Sequence, residues 1–365
     1  MSEWQTFYLK DLGKIVGGAT PSTNNPKNYG NKIAWITPKD LSTLQGRYIK
    51  KGSRSISRLG FKSCSCVLLP KHAILFSSRA SIGYVAIAKK RLCTNQNFKS
   101  IIPNKKIYFE FLYYLLKYHK NNISNMGVGT TFKGISKPAL GLFKLKIPPT
   151  YYEQQKIART LSILDQKIEN NHKINELLHT LAYKIYGYYF KYKPKNAKLE
   201  QIIIENPKSS IMVKNAQKTQ DKYPFFTSGD NILSYPKAII DGRNCFLNTG
   251  GNAGIKFYVG KASYSTDTWC ICANEFSDYL YLLLSNIKTH INQSFFQGTS
   301  LKHLQKNLLK KYPIYMPSAH EIKKFNQIIM PLLTLISINT RTSKKLEQIR
   351  DFLLPLLLKQ QVKPQ

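Results

Sequence analysis

Several short motifs in this sequence carry residue types that could do chemistry. Glu321 and Lys323 have the Glu-x-Lys spacing of many nucleases, which add an upstream acidic residue to share a metal ion. The preceding segment, residues 317–320, holds no acidic residue, so that second ligand is missing. We therefore predict that Glu321 stabilises the N-terminus of a helix, where a carboxylate interacts favourably with the helix dipole.

A glycine-containing segment approaches the pattern of a phosphate-binding loop. That loop needs four residues between its glycines and a Ser or Thr after its Lys. Here five residues separate Gly254 from Gly260, and Ala262 follows Lys261, so we predict a strand and turn instead. The sequence also has no glycine-rich loop for a methyl donor and no Asn-Pro-Pro-Tyr type motif for the amino group of a nucleobase. The sequence therefore predicts a protein without catalytic residues.

The cysteines form a second candidate for chemistry. The six cysteines include two Cys-x-Cys pairs, Cys64 with Cys66 and Cys270 with Cys272. This spacing occurs at zinc sites, but residues i and i+2 also point to the same face of a strand. The apolar residues that follow favour buried strands over 66–69 and 270–273. We predict no metal site.

The charge balance indicates a polyanionic partner. The 365 residues include 55 Lys and Arg against 19 Asp and Glu, a net charge of +36, and 42% are hydrophobic. Such a chain can form two domains with separate cores, and nucleic acid is the usual partner of so basic a protein. No apolar run approaches the roughly 18 residues of a membrane span, and the N-terminus does not resemble a signal peptide. We expect a cytoplasmic protein without membrane binding.

The elements that would position a binding site are duplicated. The loop Gly-Thr-Thr-Phe-Lys at 129–133 recurs as Gly-Thr-Ser-Leu-Lys at 298–302, and each loop leads to a helix that opens near Glu153 or Glu321. A repeat of roughly 169 residues is far longer than the 20 to 50 residues of solenoid repeats. Each copy is therefore predicted to be a whole domain followed by a helix.

The correspondence extends backward through both copies with one telling difference. Residues 74–83 match 245–254, yet the polar tip reads Ser-Ser-Arg-Ala-Ser at 77–81 and Asn-Thr-Gly-Gly-Asn at 248–252. Framework residues agree while polar tips differ. We therefore predict two domains of the same fold that present different binding surfaces.

Both predicted helices carry a heptad seam, in which apolar positions alternate by four and three residues. A polar layer interrupts both seams, so that antiparallel pairing would place Asn171 near Ser343 and Asn175 near Asn339. Pro331 should remove a backbone hydrogen bond, and the turns before it are predicted to form a separate segment. A simpler alternative is that each helix covers only its own domain. The predicted helix-pairing residues are Ile157, Leu161, Leu164, Ile168, Asn171, Asn175, Leu178, Ile329, Leu332, Ile336, Asn339, Ser343, Leu346 and Leu353.

The repeated loop and the helix opening Glu-Gln-Gln-Lys-Ile-Ala at 153–158 resemble the specificity subunit of Type I restriction-modification enzymes. The resemblance spans essentially the whole chain, although residues 321–325 of the second copy replace Glu-Gln-Gln-Lys-Ile with Glu-Ile-Lys-Lys-Phe. It implies that each domain reads one half of a split double-stranded DNA sequence and that the paired helices act as a ruler. It also implies that two methylation subunits dock on the helices and that restriction subunits join them. S-adenosylmethionine, ATP and Mg²⁺ would then belong to those partners, and this chain would bind no cofactor.

These observations together predict a mixed α/β (α+β) fold. Two globular target recognition domains in tandem repeat would be joined by two long antiparallel coiled-coil helices with pseudo-twofold symmetry. The predicted boundaries are 1–150 for the first recognition domain, 151–192 for the first helix, 193–318 for the second recognition domain and 319–365 for the second helix.

DNA contacts can be divided by comparing the two copies. Shared positions do shared work, either loop structure or phosphate contact, whereas bases are read where the copies differ. Arg and Lys can pair with guanine, and Asn or Gln with adenine, although buried polar ladders fit such residues too. For phosphate contact or loop structure we predict Thr130, Thr131, Lys133, Thr299, Ser300 and Lys302. For base reading we predict Lys39, Ser78, Arg79, Gln96, Asn97, Asn248, Asn252, Asp267 and Thr268.

Two interpretations from other classes stay open on sequence alone. A basic RNA-binding or scaffold protein would use some of the 23 Tyr to stack bases. A divergent enzyme could carry an unrecognised site. A preference for duplex DNA and a co-purifying methyltransferase would separate these alternatives from DNA recognition.

Overall fold

The computed structural model describes residues 3–129, 133–216 and 222–364. The chain divides into two compact units, Met1–Asn170 with Ser343–Gln365, and Asn171–Thr342. Each unit therefore combines one globular module with a segment of each long helix. We call the globular part that precedes Tyr151 module 1, and the globular part between Phe190 and Ala319 module 2.

Module 1 consists of short strands and helices that precede the first long helix. Its strands are Gln5–Tyr8 (β1), Gly13–Gly17 (β2), Tyr29–Ile36 (β3), Tyr48–Ile49 (β4), Arg54–Ile56 (β5), Ile74–Phe76 (β6), Val85–Ala88 (β7), Cys93–Thr94 (β8), Lys99–Pro103 (β9) and Lys144–Ile147 (β10). Its helices are Leu9–Leu12 (α1), Pro38–Ser42 (α2), Arg58–Lys62 (α3), Phe109–Tyr118 (α4), Lys120–Asn125 (α5) and Lys137–Gly141 (α6), with a 3-10 turn at Pro26–Asn28; the long helix Tyr151–Phe190 (α7) follows.

Module 2 lies between the two long helices and also consists of short strands and helices. Its strands are Ala197–Lys198 (β11), Ile204–Glu205 (β12), Tyr223–Phe226 (β13), Leu233–Tyr235 (β14), Arg243–Asn248 (β15), Ile255–Val259 (β16), Ser263–Tyr264 (β17), Thr268–Cys272 (β18), Phe296–Gln297 (β19), His303–Leu304 (β20) and Pro313–Ile314 (β21). Its helices are Val213–Ala216 (α8), Ser277–Asn286 (α9), Lys288–Ser294 (α10) and Lys306–Lys310 (α11), with 3-10 turns at Leu199–Gln201 and Asn274–Phe276; the second long helix is Ala319–Leu358 (α12).

The sheet topology confirms the predicted duplication. The main sheet has the order β2-β9-β6-β7-β4 in module 1 and β12-β18-β15-β16 in module 2. A second sheet has the order β5-β3-β8 or β14-β13-β17, and in both its last pair is parallel. The strand before the long helix pairs with the first strand of its own module, β10 with β1 and β21 with β11. The fold is mixed α/β, with mostly antiparallel strands.

The start of each long helix is capped by the same local device. The amide of Glu153 donates to the hydroxyl of Thr150, and the amide of Glu321 donates to the hydroxyl of Ser318. The Glu321 carboxylate in turn accepts from the amide of Ser318 at 2.9 Å. Hydrogen bonds from Ser318 and Tyr315 lower the pKa of Glu321 to about 2. The prediction that Glu321 serves a helix N-terminus is confirmed, since this reciprocal bonding is a capping box.

Within each unit, the segments of the two long helices run antiparallel. In the second unit the side-chain amide of Asn339 donates to the side-chain carbonyl of Asn175 at 2.9 Å, as antiparallel pairing predicts. Further along, Tyr189 stacks edge-on against Phe325, so residue numbers rise along one helix as they fall along the other. The predicted pairing residues share burial: Ile157, Leu161, Ile168, Ile329, Ile336 and Ser343 are buried, and Leu164, Asn171, Asn175, Leu178, Leu332, Asn339, Leu346 and Leu353 are half-buried.

The prediction of a separate segment before Pro331 is wrong. Helix α12 is continuous from Ala319 to Leu358 and passes through Pro331. Proline removes one amide donor, which leaves the carbonyl of Gln327 without its usual partner four residues on. Both residues are exposed, so water can satisfy that carbonyl and the helix continues.

The cores join each module to its own helix segments. In the first unit the core includes Phe111 of α4, Leu161 of α7 and Leu357 of α12. In the second unit an aromatic cluster forms, with Phe190 packed 4.9 Å from Phe325 and 5.2 Å from Tyr279 between ring centroids. The described part of the chain has no helix with the length and apolarity to cross a membrane.

One of the two cysteine segments differs from its predicted structure. Cys270 and Cys272 lie in strand β18 as predicted. The segment Cys66 to Leu69 is not a strand but joins its neighbours through a single bridge at Leu69. Cys66 is nevertheless buried, and its thiol lies 3.1 Å from the carbonyl oxygen of Ala19, so burial does not require strand pairing here.

Candidate nucleic-acid interface

Three loops meet at one place in each module. The tip loop, residues 77–83 or 248–254, connects β6 with β7 in module 1 and β15 with β16 in module 2. The return loop, residues 94–97 or 265–268, precedes the neighbouring strand. The Gly-Thr loop is residues 129–133 or 298–302, of which 130–132 lie outside the described residues. The following contacts show that both modules assemble these loops in the same way.

A backbone hydrogen bond joins the tip loop to the Gly-Thr loop in both modules. The amide of Ala80 donates to the carbonyl of Lys133 at 3.0 Å. The amide of Gly251 donates to the carbonyl of Lys302 at 2.8 Å. Because the lysine carbonyls face the tip loop, the backbone at these positions is structural. The side chains of both lysines are exposed.

Each tip loop is closed by the side chain of its first residue. The hydroxyl of Ser77 donates to the carbonyl of Ser81 at 2.6 Å. The side-chain amide of Asn248 donates to the carbonyl of Asn252 at 3.1 Å. Both bonds span four residues, although different residue types make them. In module 2 the ammonium of Lys256 also donates to Asn248 at 3.1 Å. The frame of the tip loop is therefore repeated while its chemistry varies.

The tip loop is also joined to the return loop. The amide of Ser78 donates to the carbonyl of Asn97 at 2.7 Å, and the Ser78 hydroxyl donates to the same carbonyl. In module 2 the hydroxyl of Thr249 donates to the carbonyl of Asp267 at 2.8 Å. These bonds hold the return loop beside the tip and bring the predicted residues of both loops together.

Three predicted base-reading residues require correction. Ser78 is 2% exposed, Asn248 6% and Thr268 7%. Ser78 and Asn248 make the loop contacts above, and the Thr268 hydroxyl lies 3.3 Å from the carbonyl oxygen of Phe226. Side chains so enclosed cannot reach a base edge in this conformation. We therefore reassign all three from base reading to support of the loops.

The remaining predicted side chains are accessible, and most are exposed. Asn97 is half-buried, and its carbonyl supports Ser78. Lys39 lies on α2. Thr130 and Thr131 lie outside the described residues. The exposed predicted residues are Lys39, Arg79, Gln96, Lys133, Asn252, Asp267, Thr299, Ser300 and Lys302.

One basic residue near this site, Lys99, was missed by sequence reasoning. Burial and the neighbouring charge of Arg79 lower the pKa of Lys99, so two cations face the same region. Lys99 lies in strand β9, where the alternation of side chains gave no signal that it would lie beside Arg79. A phosphate group would relieve repulsion between Arg79 and Lys99.

The helix-opening motif has a structural explanation in module 1. The side chain of Gln154 is 1% exposed, accepts from the amide of Tyr108 at 2.8 Å and donates to the carbonyl of Lys106. In module 2 the buried Ile322 occupies the matching place and packs in the core. The divergence of the second motif thus replaces a buried polar contact with an apolar one, while the capping Glu is kept.

Adjacent substitutions separate loop support from base reading. We expect Arg79→Ala to remove about 1–3 kcal/mol of DNA affinity and to relax recognition at one base position. We expect Ser78→Ala to cost about 1 kcal/mol of stability and to leave the recognised bases unchanged. Thermal melting and methylation mapping of complexes that contain each variant would check this. A changed target word with Ser78→Ala would contradict the reassignment.

Comparison with known proteins identifies the family of this architecture. Residues 1–180 and 195–348 match the Type I restriction modification DNA specificity domain. The type I restriction enzyme MjaIX specificity subunit of Methanocaldococcus jannaschii is 31% identical, over 98% of this chain and 93% of that protein. A putative MjaX specificity subunit of the same organism is 38% identical over 50% of this chain and 41% of its own. The S subunit of a Type-I restriction-modification system from M. genitalium shares the fold, with a TM-score of 0.63 at 18% identity over 97% of this chain and 96% of its own. The chain therefore belongs to the family of type I restriction-modification specificity proteins.

Proposed function

We propose that this protein is the DNA-recognition subunit of a type I restriction-modification complex and that each module reads one half of a bipartite duplex target. The observation that carries this proposal is the pair of loop sites, which share one hydrogen-bonded frame but differ at their tips. Arg79 occupies the tip in module 1, and Gly250 and Gly251 occupy it in module 2. Two loop sites with the same backbone frame and different tip residues are expected to recognise two different half-sites.

The charge of the chain supports a phosphate-rich partner. The net charge is +36, and Lys133 and Lys302 place exposed ammonium groups at equivalent points of the two sites. Phosphate contacts orient a protein on DNA without reading its sequence. We assign Lys133 and Lys302 to this role, together with Thr130, Thr131, Thr299 and Ser300.

Catalysis is assigned to partner subunits. We propose that methylation subunits dock on the long helices, that restriction subunits join through the complex, and that these partners bring S-adenosylmethionine, ATP and Mg²⁺. Large apolar side chains on the helices support docking, since Leu177 is 71% exposed, Tyr188 87% and Phe352 68%. Exposed apolar side chains mark protein interaction sites where they form a contiguous patch.

Binding without chemistry is the direct test of this function. We expect the purified chain to bind duplex DNA in preference to single-stranded RNA and to leave the DNA unmodified. Because binding to phosphates releases counterions, the logarithm of affinity should fall with the logarithm of salt concentration by roughly 0.9 per phosphate contacted. Titrations at several salt concentrations, with assays for methyl transfer and strand cleavage, would measure this. Methyl transfer or cleavage by the chain alone, or a preference for RNA, would refute the proposal.

A further inference from the structure

A buried arginine joins module 1 to the long helix α7. The Arg47 side chain is 3% exposed and lies 3.0 Å from the carboxylate of Glu110 on α4 and 3.1 Å from that of Glu169 on α7. Burial by itself lowers the pKa of Arg47, but the surrounding groups, including both carboxylates, raise it overall. The arginine is thus charged and shared between a helix of the module and the long helix.

Other charged groups complete this cluster. Asp165 of α7 lies 2.7 Å from the guanidinium of Arg350 on α12 and accepts from the hydroxyl of Tyr114 at 2.5 Å. Its second carboxylate oxygen lies 3.9 Å from Arg47. Three carboxylates and two guanidinium groups therefore join α4, α7 and α12 within the first unit.

Module 2 is joined to α12 by an arginine that lies in a strand. Arg243 of β15 forms two hydrogen bonds with the carboxylate of Asp278 on α9. The same guanidinium donates to the hydroxyl of Thr334 at 2.9 Å and to the carbonyl of Met330 at 3.2 Å. Burial raises the pKa of Asp278, and the hydrogen bonds and charge of Arg243 oppose that rise. Glu110 is the second residue of α4 and Asp278 is the second residue of α9, so both modules have an acidic residue at the same helix position.

A second contact is repeated at equivalent points of the two long helices. The amide of Arg47 donates to the carboxylate of Glu169 at 2.9 Å, and the amide of Val259 donates to the hydroxyl of Ser337 at 3.0 Å. Glu169 lies 18 residues after the first residue of α7, and Ser337 lies 18 residues after the first residue of α12. Each module therefore docks a backbone amide on the same position of its helix.

Glycine makes both of these close approaches feasible. Gly46 has a φ of +128° and Gly260 a φ of +122°. A Cβ on Gly46 would lie 3.0 Å from the Glu169 side chain, and one on Gly260 would lie 2.7 Å from the Arg341 guanidinium. Residues with a Cβ rarely adopt this backbone conformation. Glycine at both positions therefore allows the chain to approach the long helix closely.

We propose that these two clamps, Gly46-Arg47 on Glu169 and Val259-Gly260 on Ser337, select the spacer length of the DNA target. The proposal rests on the proposed function. A helix can act as a ruler only if each module is held at a fixed angle on it, because rocking of a module would move its loops along the duplex. Arg47, Glu169 and Ser337 are positioning residues, since they lie in the clamps and not in the loop sites.

Methylation mapping of cells that express the whole complex tests this role. We expect the wild type to methylate sites of one spacer length. With Glu169→Ala, the share of methylated sites whose spacer is one base pair shorter or longer should rise by about tenfold, while both half-site words stay unchanged. Glu169→Gln keeps an acceptor for the Arg47 amide and should retain the wild-type spacing. Glu176→Ala, an exposed change on the same helix, is the matched control and should also retain it.

The outcomes separate the clamp from the proposed function. A purely structural role would reduce methylation equally at all spacers, and an unchanged spacer distribution with Glu169→Ala would overturn the inference. If Glu169→Ala abolishes methylation, Ser337→Ala is the second test, and the same change in spacer distribution is expected. That substitution removes only the neutral acceptor on α12 that binds the Val259 amide of module 2. The absence of any bipartite motif in the wild type would instead refute the proposed function.

Discussion

Lengthening both long helices by one heptad should move the two halves of the DNA target apart by about three base pairs. Seven residues add about 10 Å of helix, and each base pair of duplex adds about 3.4 Å. A heptad preserves the apolar seam, so the antiparallel contacts are kept. Methylation mapping of complexes with the lengthened chain would read the new spacer directly.

The insertion points follow from the compact units. A heptad after Leu164 would keep the seam but would shift Asp165 and Glu169 away from Arg47. Insertions after Asn170 and after Thr342 fall at the boundaries between the units and leave both clamps intact. Lys173→Ala with Glu176→Ala, at unchanged length, is the control and should keep the original spacer. Full methylation with an unchanged spacer in the lengthened chain would show that these helices do not set the distance.

Exchange of module 1 should change one half of the target word and nothing else. We expect replacement of residues 1–150 by the equivalent module of a relative to alter a single half-site, because each module has its own loop site and core. The incoming module should carry an arginine and an acid at the positions of Arg47 and Glu110, so that the clamp on Glu169 is retained. Methylome sequencing would report both half-sites and the spacer together.

The reciprocal exchange supplies the control for this experiment. Replacement of residues 193–318 should alter the other half-site and keep the first. If either exchange changed both half-sites, or neither, then the assignment of one half-site to each module would be wrong. Loss of the spacer alone would instead indicate damage to a clamp.

The duplication and the helix seams were predictable because they depend on local patterns. Heptad spacing identified the positions that Asn175 and Asn339 occupy, and the match between 74–83 and 245–254 predicted equivalent strands and loops. The misassigned Cys66 segment shows the limit of such patterns. Alternating burial there comes from contact with Ala19, which is distant in sequence, and not from pairing within a sheet.

The site was predictable in outline but not residue by residue. The tip positions that differ between copies did mark the loops that meet in each module. The pattern could not distinguish Arg79, which is exposed, from Ser78, which is buried. Neighbouring residues in a loop differ in burial according to which backbone carbonyl lies opposite, here that of Asn97, and only the folded chain brings that carbonyl into place.

The sequence by itself determined that this protein is a duplicated, basic, two-module chain with two heptad helices, because repeats, charge and periodicity are properties of residue order. Only the tertiary structure decided how each module is held on its helix. Arg47 and Glu169 are 122 residues apart in the chain, and Val259 and Ser337 are 78 apart. No local pattern links such residues, because their contacts form only when packing of the cores brings these segments of each module onto the helix surface.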